Sequence, residues 1–216
     1  MITSANSAQR GGDDNPETVD RQGNVNLIDA AEHAGVRQFI FVSVAAVDPA
    51  HPVPLFAAKA KSEAHLTKSG MTWTIIAPHV FMDVWFRHIV VSAVSANRPV
   101  PLVAGGQKRH SFIAANDVAE FTVAAVRHPA ARNQRLVLGG PAALSWRDVV
   151  GKSSAIVGRK LEIESVQPGQ PIPTLPPPVD QAVGGLMAGL EQQDVVLDTS
   201  AAAKTFGVTL TPAEAV

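Results

Sequence analysis

The sequence predicts an α/β protein built on a mostly parallel, doubly wound sheet, and three stretches carry that prediction. Leu27, Ile28, Ala31 and Ala34 recur at the spacing that places them on one face of a helix. Phe39-Ile40-Phe41-Val42 then runs apolar without alternation, the habit of a strand covered on both faces. Met71 to Ala77, with β-branched Thr72, Thr74, Ile75 and Ile76, supplies a second buried strand after an intervening helix pattern.

The composition sets the limits. A chain of 216 residues with 46% apolar content can bury one well-packed domain or two small ones. Its formal charge of −1 gives no electrostatic ground for capturing nucleic acid or an anionic membrane surface. Without cysteine there are no disulfides, thiolate nucleophiles or sulfur-ligated metals. No apolar run approaches the ~18 residues of a membrane span, and the first residues lack a signal pattern. A cytoplasmic protein with a small-molecule partner is the simplest reading, and a homo-oligomer stays open. The chain also has no tyrosine, which removes any mechanism that needs a phenolic acid.

Taken in order, residues 1–5 read as a strand and 6–15, with Gly11-Gly12-Asp13-Asp14, as a loop. Asn15-Pro16-Glu17 starts a helix over 16–34: a capping side chain, a proline in the first turn, then an acid where the dipole favours it. Gly35 stops it, because glycine adopts the left-handed conformation that helix ends use. A strand over 38–43 closes on Ser43, and ligands in open α/β sheets sit beyond the carboxyl ends of strands. Asp48 to Pro52 is loop, Leu55 to Lys68 helix, Met71 to Ala77 strand. Phe81 to Ala96 follows at helical spacing; Pro101-Leu102-Val103 and His110 to Ile113 are short extended pieces around Gly105-Gly106. Asn116 is expected to cap a helix to Arg127, with a strand over 135–138 after it. Ser145 is expected to cap a helix to Val157, and 161–166 is extended. Six prolines between 168 and 178 make a long loop, followed by a glycine-diluted helix over 179–190 and a last segment to Gly207.

Some apparent motifs fail on spacing. Gly151-Lys152-Ser153 mimics the tail of a phosphate-binding loop, but the required earlier glycine is Trp146 and the tripeptide lies inside a helix pattern. Gly185 and Gly189 have the spacing of a helix-dimerisation motif outside the long apolar helix that gives it meaning. The seven histidines show no ligand spacing, so no metal site is expected. Phe81, Met82, Trp85 and Phe86 form an apolar stripe, read either as core or as the wall of an apolar substrate pocket formed by Phe81 and Trp85.

Four quotations, in order and at the right spacing, resemble one family. They are the Asp20–Ser43 unit, Ile75-Ile76-Ala77-Pro78-His79-Val80-Phe81, Ser111-Phe112-Ile113 with Asn116-Asp117-Val118-Ala119, and Leu138-Gly139-Gly140-Pro141 through Leu144-Ser145 to Val157-Gly158-Arg159. Together they resemble the atypical, NmrA-like branch of the short-chain dehydrogenase/reductase superfamily. Ala77 stands where that family usually has arginine. The resemblance implies a Rossmann-like sheet that lacks its opening strand, glycine-rich turn and helix, the chain starting near the family's fourth strand with residues 1–5 as an exposed edge. It implies a partial NAD(P)-binding domain over 1–140 and a smaller substrate-side region over 141–216 packed on it.

The implied cofactor is NAD(P), with NADP the favoured form. The resemblance places its contacts at Ser4, Ala5, Asn6 and Ser43, at the backbone of Ala77, Pro78 and His79, and at Lys59. Ser43 and Lys59 are the catalytic candidates. In tyrosine-dependent relatives such a lysine orients the nicotinamide ribose and acidifies a tyrosine four residues earlier; that position here is Leu55. The competing reading makes Lys59 and Glu63 an i,i+4 surface pair. Loss of the phenol argues against ordinary carbonyl reduction. It leaves an oxidoreductase for a quinone or other small apolar acceptor, a sensor that binds NAD(P) without turning it over, or a shortened form with no working cofactor site.

Overall fold

The computed structural model describes residues 1–7, 12–177 and 179–215. Gly11 of the expected glycine turn and Pro178 of the proline-rich loop lie outside the described residues. Along the chain come β1 (Ile2–Thr3), a π-helical stretch (Pro16–Gly23) running into α1 (Asn24–His33), β2 (Gln38–Val42), α2 (Pro54–Leu66) and β3 (Thr72–Pro78). Then follow α3 (Met82–Phe86), a second π-helical stretch (Arg87–Val91), α4 (Ser92–Ser95), β4 (Val100–Val103), β5 (Arg109–His110) and α5 (Ala115–Arg127). The remainder is β6 (Gln134–Leu138), β7 (Leu144–Ser145), α6 (Trp146–Val157), β8 (Ile163–Val166), α7 (Val179–Leu190) and α8 (Ser200–Phe206).

These elements form two compact units that interleave along the chain, where the sequence predicts a single boundary at 140. One unit takes residues 1–79, 116–138 and 199–209, the other 80–115, 139–198 and 210–216.

The first unit is a four-stranded, all-parallel sheet in the order β1-β2-β3-β6. Because strand side chains alternate, Phe39, Phe41, Ile75 and Ala77 share one face and pack with Ile28 and Ala31 of α1 and Leu66 of α2. The opposite face meets α5 and the turn after it: Gln38 Nε2 donates to the Ala125 carbonyl at 3.1 Å, and Thr74 Oγ1 to that of Ala131 at 2.8 Å. Helices on both faces explain the unbroken apolar run of β2. β1 is shorter than expected and pairs only with β2, leaving Met1 and Ile2 about half exposed at 49% and 50%. Asn15 caps the first helix as predicted, its Oδ1 accepting from Glu17 N at 2.9 Å and Thr18 N at 3.0 Å. Gly35 takes a φ of 71° just past the end of α1. Ala34, assigned to the buried face, is exposed because it lies beyond the last helical turn; Asn24 extends that face instead.

The second unit is built around Trp146, Phe112 and Phe86, whose rings meet edge to face at centroid separations of 5.0 to 5.9 Å. β4 and β8 pair in parallel, β5 and β7 antiparallel. The expected helix over 81–96 is realised as α3, the π-helical stretch and α4 in succession. Ser145 caps α6 with a full capping box, and Gly158 ends it in the left-handed conformation. The cap predicted at Asn116 is a correction. α5 begins a residue earlier, Asp83 Oδ2 accepts from Ala115 N at 2.6 Å, and Asn116 spends its side chain on Glu120 at 2.9 Å. A carboxylate from a separate helix is a stronger partner for a helix N-terminus than a local amide.

Candidate functional site

The sheet of the first unit aligns all its carboxyl ends on one rim because every pairing in it is parallel. Ser43 N donates to Ile76 O at 2.7 Å, Ala45 N to Pro78 O at 2.9 Å, and His79 N to Leu138 O at 2.8 Å. β1 pairs with β2 at Ile2–Ile40 and Thr3–Phe41, so the chain leaves the sheet just before Ser4. The rim therefore gathers Ser4, Ala5 and Asn6, which are exposed, Ser43, Ala77 and Pro78, which are buried, and half-buried His79.

Ser43 Oγ is sealed from solvent and has no hydrogen-bond partner among the described residues. A buried hydroxyl without a partner is costly, and such a group calls for an explanation.

Lys59 is 3% exposed and lies inside α2's buried stripe with Ser62, Glu63 and Leu66. Its Nζ donates to the Ala5 carbonyl at 2.8 Å, stands 3.2 Å from Asp20 Oδ1, and sits 4.9 Å from the centroid of the Phe41 ring. Burial pushes the Lys59 ammonium below its usual 10.5, while Asp20 and then Glu63 pull it partly back up. The surface pair between Lys59 and Glu63 does not form. Glu63 turns to Arg135 of β6, whose Nε donates to Glu63 Oε2 at 2.8 Å and whose Nη2 reaches Val44 O at 2.8 Å and Ala45 O at 3.1 Å. Arg135 thereby ties down the segment after Ser43.

Asp20, fully buried, answers Lys59 from the first π-helical stretch. Its Oδ2 accepts from Ser7 N at 2.9 Å and Ser7 Oγ at 2.6 Å. The π-helical winding turns backbone carbonyls away from a regular ladder, and side chains collect them. Asn24 Nδ2 lies within 3.3 Å of Ala5 O and Val19 O and 3.1 Å of Asp20 O, while Ser62 Oγ donates to Asp20 O at 2.7 Å. Lys59, Asp20 and Asn24 thus pin Ala5 and Ser7, the segment that follows β1.

Asp20, Asn24, Ser62 and Arg135 escaped the sequence reading. Asn24 carried a usable signal, lying four residues before Ile28 on an otherwise apolar face; the others pair across long separations that no local pattern encodes. Phe81 and Trp85 belong to the second unit and are half-buried. Two small hollows in that unit are lined by Met82 and Phe86 of the same stripe, not by Phe81 or Trp85. Gly151-Lys152-Ser153 lies inside α6, where no phosphate loop can form. Among the described residues no helix is long and apolar enough to cross a membrane, and no three metal-ligating side chains cluster.

A parallel, doubly wound sheet with polar groups gathered at its carboxyl rim defines a Rossmann-like nucleotide-binding protein. The chain belongs to the NAD(P)H-binding family, whose profile matches residues 2–129, and the NmrA-like, atypical branch of the short-chain dehydrogenase/reductase superfamily fits that membership. It is 30% identical over 140 residues to the NAD(P)H azoreductase of Xenophilus azovorans, covering 65% of this chain and 48% of that protein. The chain thus spans about half the length of this curated relative. In fold it matches an NADPH-dependent quinone oxidoreductase of Escherichia coli complexed with NADPH, with TM-score 0.76 and 16% identity over 99% of this chain and 72% of that one. It also matches a Citrobacter sp. triphenylmethane reductase complexed with NADP(H), with TM-score 0.74 and 16% identity over 88% and 68% of the two chains.

The rim fits one end of such a cofactor. Ser43 Oγ offers an unused hydrogen bond to an amide or hydroxyl group. The helix that follows β1 does not fit a pyrophosphate: Pro16 has no N–H, Asn15 already occupies the next two, and Glu17 adds negative charge. Lys59 has its ammonium committed to Ala5 and Asp20 and does not reach the surface.

Proposed function

We propose that the chain works as an NAD(P)H-dependent oxidoreductase on a small apolar acceptor, a quinone or an azo compound, with NADP(H) the favoured cofactor. The unpartnered Ser43 hydroxyl at the shared carboxyl rim carries this reading, supported by membership of a family that binds NAD(P)H. A bound nicotinamide supplies hydride. Ser43 would donate a hydrogen bond to the nicotinamide amide or the acceptor oxygen, with the exposed Ser4–Asn6 segment following β1 at the same end of the sheet. Lys59, Asp20 and Asn24 hold that segment in register. On this reading solvent can serve as the proton source, a route that suits quinones better than simple carbonyls. The choice of acceptor is supported by the chain's similarity to an NAD(P)H azoreductase.

A second reading, binding without turnover, draws on Lys59 being fully committed and on Leu55 standing where an acid would be needed. Fluorescence titration with NADPH and NADH, followed by nicotinamide oxidation against a panel of quinones, separates the two. Turnover that falls roughly tenfold in Ser43→Ala, about one hydrogen bond's worth, supports the enzyme. Binding with no turnover on any acceptor gives the sensor. Absence of binding to either nucleotide defeats both. Lys59→Ala is expected to weaken nucleotide binding through the loop it holds.

A further inference from the structure

In the second unit the short turn Ala213–Ala215, preceded by Pro212, lies between two hollows of about 60 Å³ each. Met82, Phe112 and Leu144 line the first, and Phe86, Val90 and Val149 the second. Ala213 and Lys152 line both, so the turn is the partition between them. Its hold is slight. Pro212, Glu214 and Ala215 are exposed, Ala213 is half-buried, and the charged contact is a surface ion pair between Glu214 and Lys152. An exposed pair of this kind shifts an equilibrium by about fivefold at most. Beneath it lie side chains of the opposite character: Met82, Phe112, Val90 and Val149 are nearly fully buried and belong to the unit's apolar core. Exposed Val91 and Ile156 extend the apolar surface at the second hollow. Among the described residues, Lys152 and Glu214 are the charged ones lining these hollows.

A methyl group wedged between two apolar hollows, with a carboxylate one residue away on a lysine, has the chemistry of an apolar carboxylate. We propose that this turn is an internal stand-in for such a ligand, and that the groove under it binds small aromatic or aliphatic carboxylates, with Lys152 taking the anionic group. The inference rests on the second unit alone and is independent of the cofactor reading.

Titration calorimetry with 1-naphthoate, and with the neutral 1-naphthylmethanol as control, tests it on the full chain. Lys152 and Glu214 are partly exposed, so Lys152→Met and Glu214→Gln are expected to leave the melting temperature in place. Glu214→Gln removes the competing carboxylate and should tighten naphthoate about three- to fivefold. Lys152→Met should weaken naphthoate roughly tenfold while leaving the alcohol unchanged. Failure of naphthoate to bind Glu214→Gln, or equal binding of acid and alcohol, overturns the proposal. So does dimerisation of Glu214→Gln at micromolar concentration, since the groove would then be taking a second copy's tail.

Discussion

Replacing Asp20 by asparagine leaves the Lys59 ammonium sealed in the first unit without its nearest carboxylate, beside the Ala5 carbonyl and the Phe41 ring. Breaking a buried pair in this way costs about 3–5 kcal/mol. Asp20→Asn should therefore lower stability to urea by roughly that amount, and the double variant Asp20→Asn with Lys59→Met should recover part of it. Lys59 also sets a pH dependence. Burial lowers its folded pKa below the usual 10.5, so the unfolded chain holds the proton more tightly. Stability carried by this group must then rise with pH through the alkaline window between the folded pKa and 10.5, and Lys59→Met should abolish that rise. Ser43 makes the opposite kind of prediction. Its hydroxyl has no partner among the described residues, so Ser43→Ala should hold or raise the unfolding free energy by about 1 kcal/mol while lowering turnover. A purely structural serine would show the reverse.

At the scale of elements, two glycine-rich pieces are shaped by contact. A Cβ built on Gly184 of α7 would come within 2.2 Å of the Gln170 carbonyl, whereas Gly185 and Gly189 face open space. Helix propensity alone favours alanine at all three by about 1 kcal/mol. Thermal melts should separate the effects: Gly184→Ala destabilises, while Gly185→Ala and Gly189→Ala stabilise by about 0.5–1 kcal/mol. The turn after β6 is tighter still, since a Cβ on Gly140 would lie 1.9 Å from Phe112 O. Gly140→Ala should be among the most damaging single changes in the second unit. Sequence periodicity could find α7 and this turn but could not say which glycine was obligatory, because the deciding atoms belong to Gln170 and Phe112.

For the whole molecule, what could be read early was the part written in local pattern. The caps at Asn15 and Ser145 and the doubly covered β2 and β3 follow from neighbours in sequence, while the exposed edge at β1 is an implication of the family resemblance. What could not be read was the wiring of the rim. Asp20 meets Lys59 thirty-nine residues on, Glu63 meets Arg135 across seventy-two, and the π-helical winding that frees the carbonyls for Asn24 and Ser62 leaves no distinctive spacing. The interleaving of the two units is of the same kind, set by tertiary packing rather than by any composition shift near 140. The central claim is that the nicotinamide end of the cofactor sits on the carboxyl rim of the first unit's sheet. Hydrogen–deuterium exchange with saturating NADPH tests it most directly. The account predicts slowed exchange in the peptides carrying Ala5–Ser7, Ser43–Ala45 and His79, and protection confined to α6 and α7, or none anywhere, would contradict it.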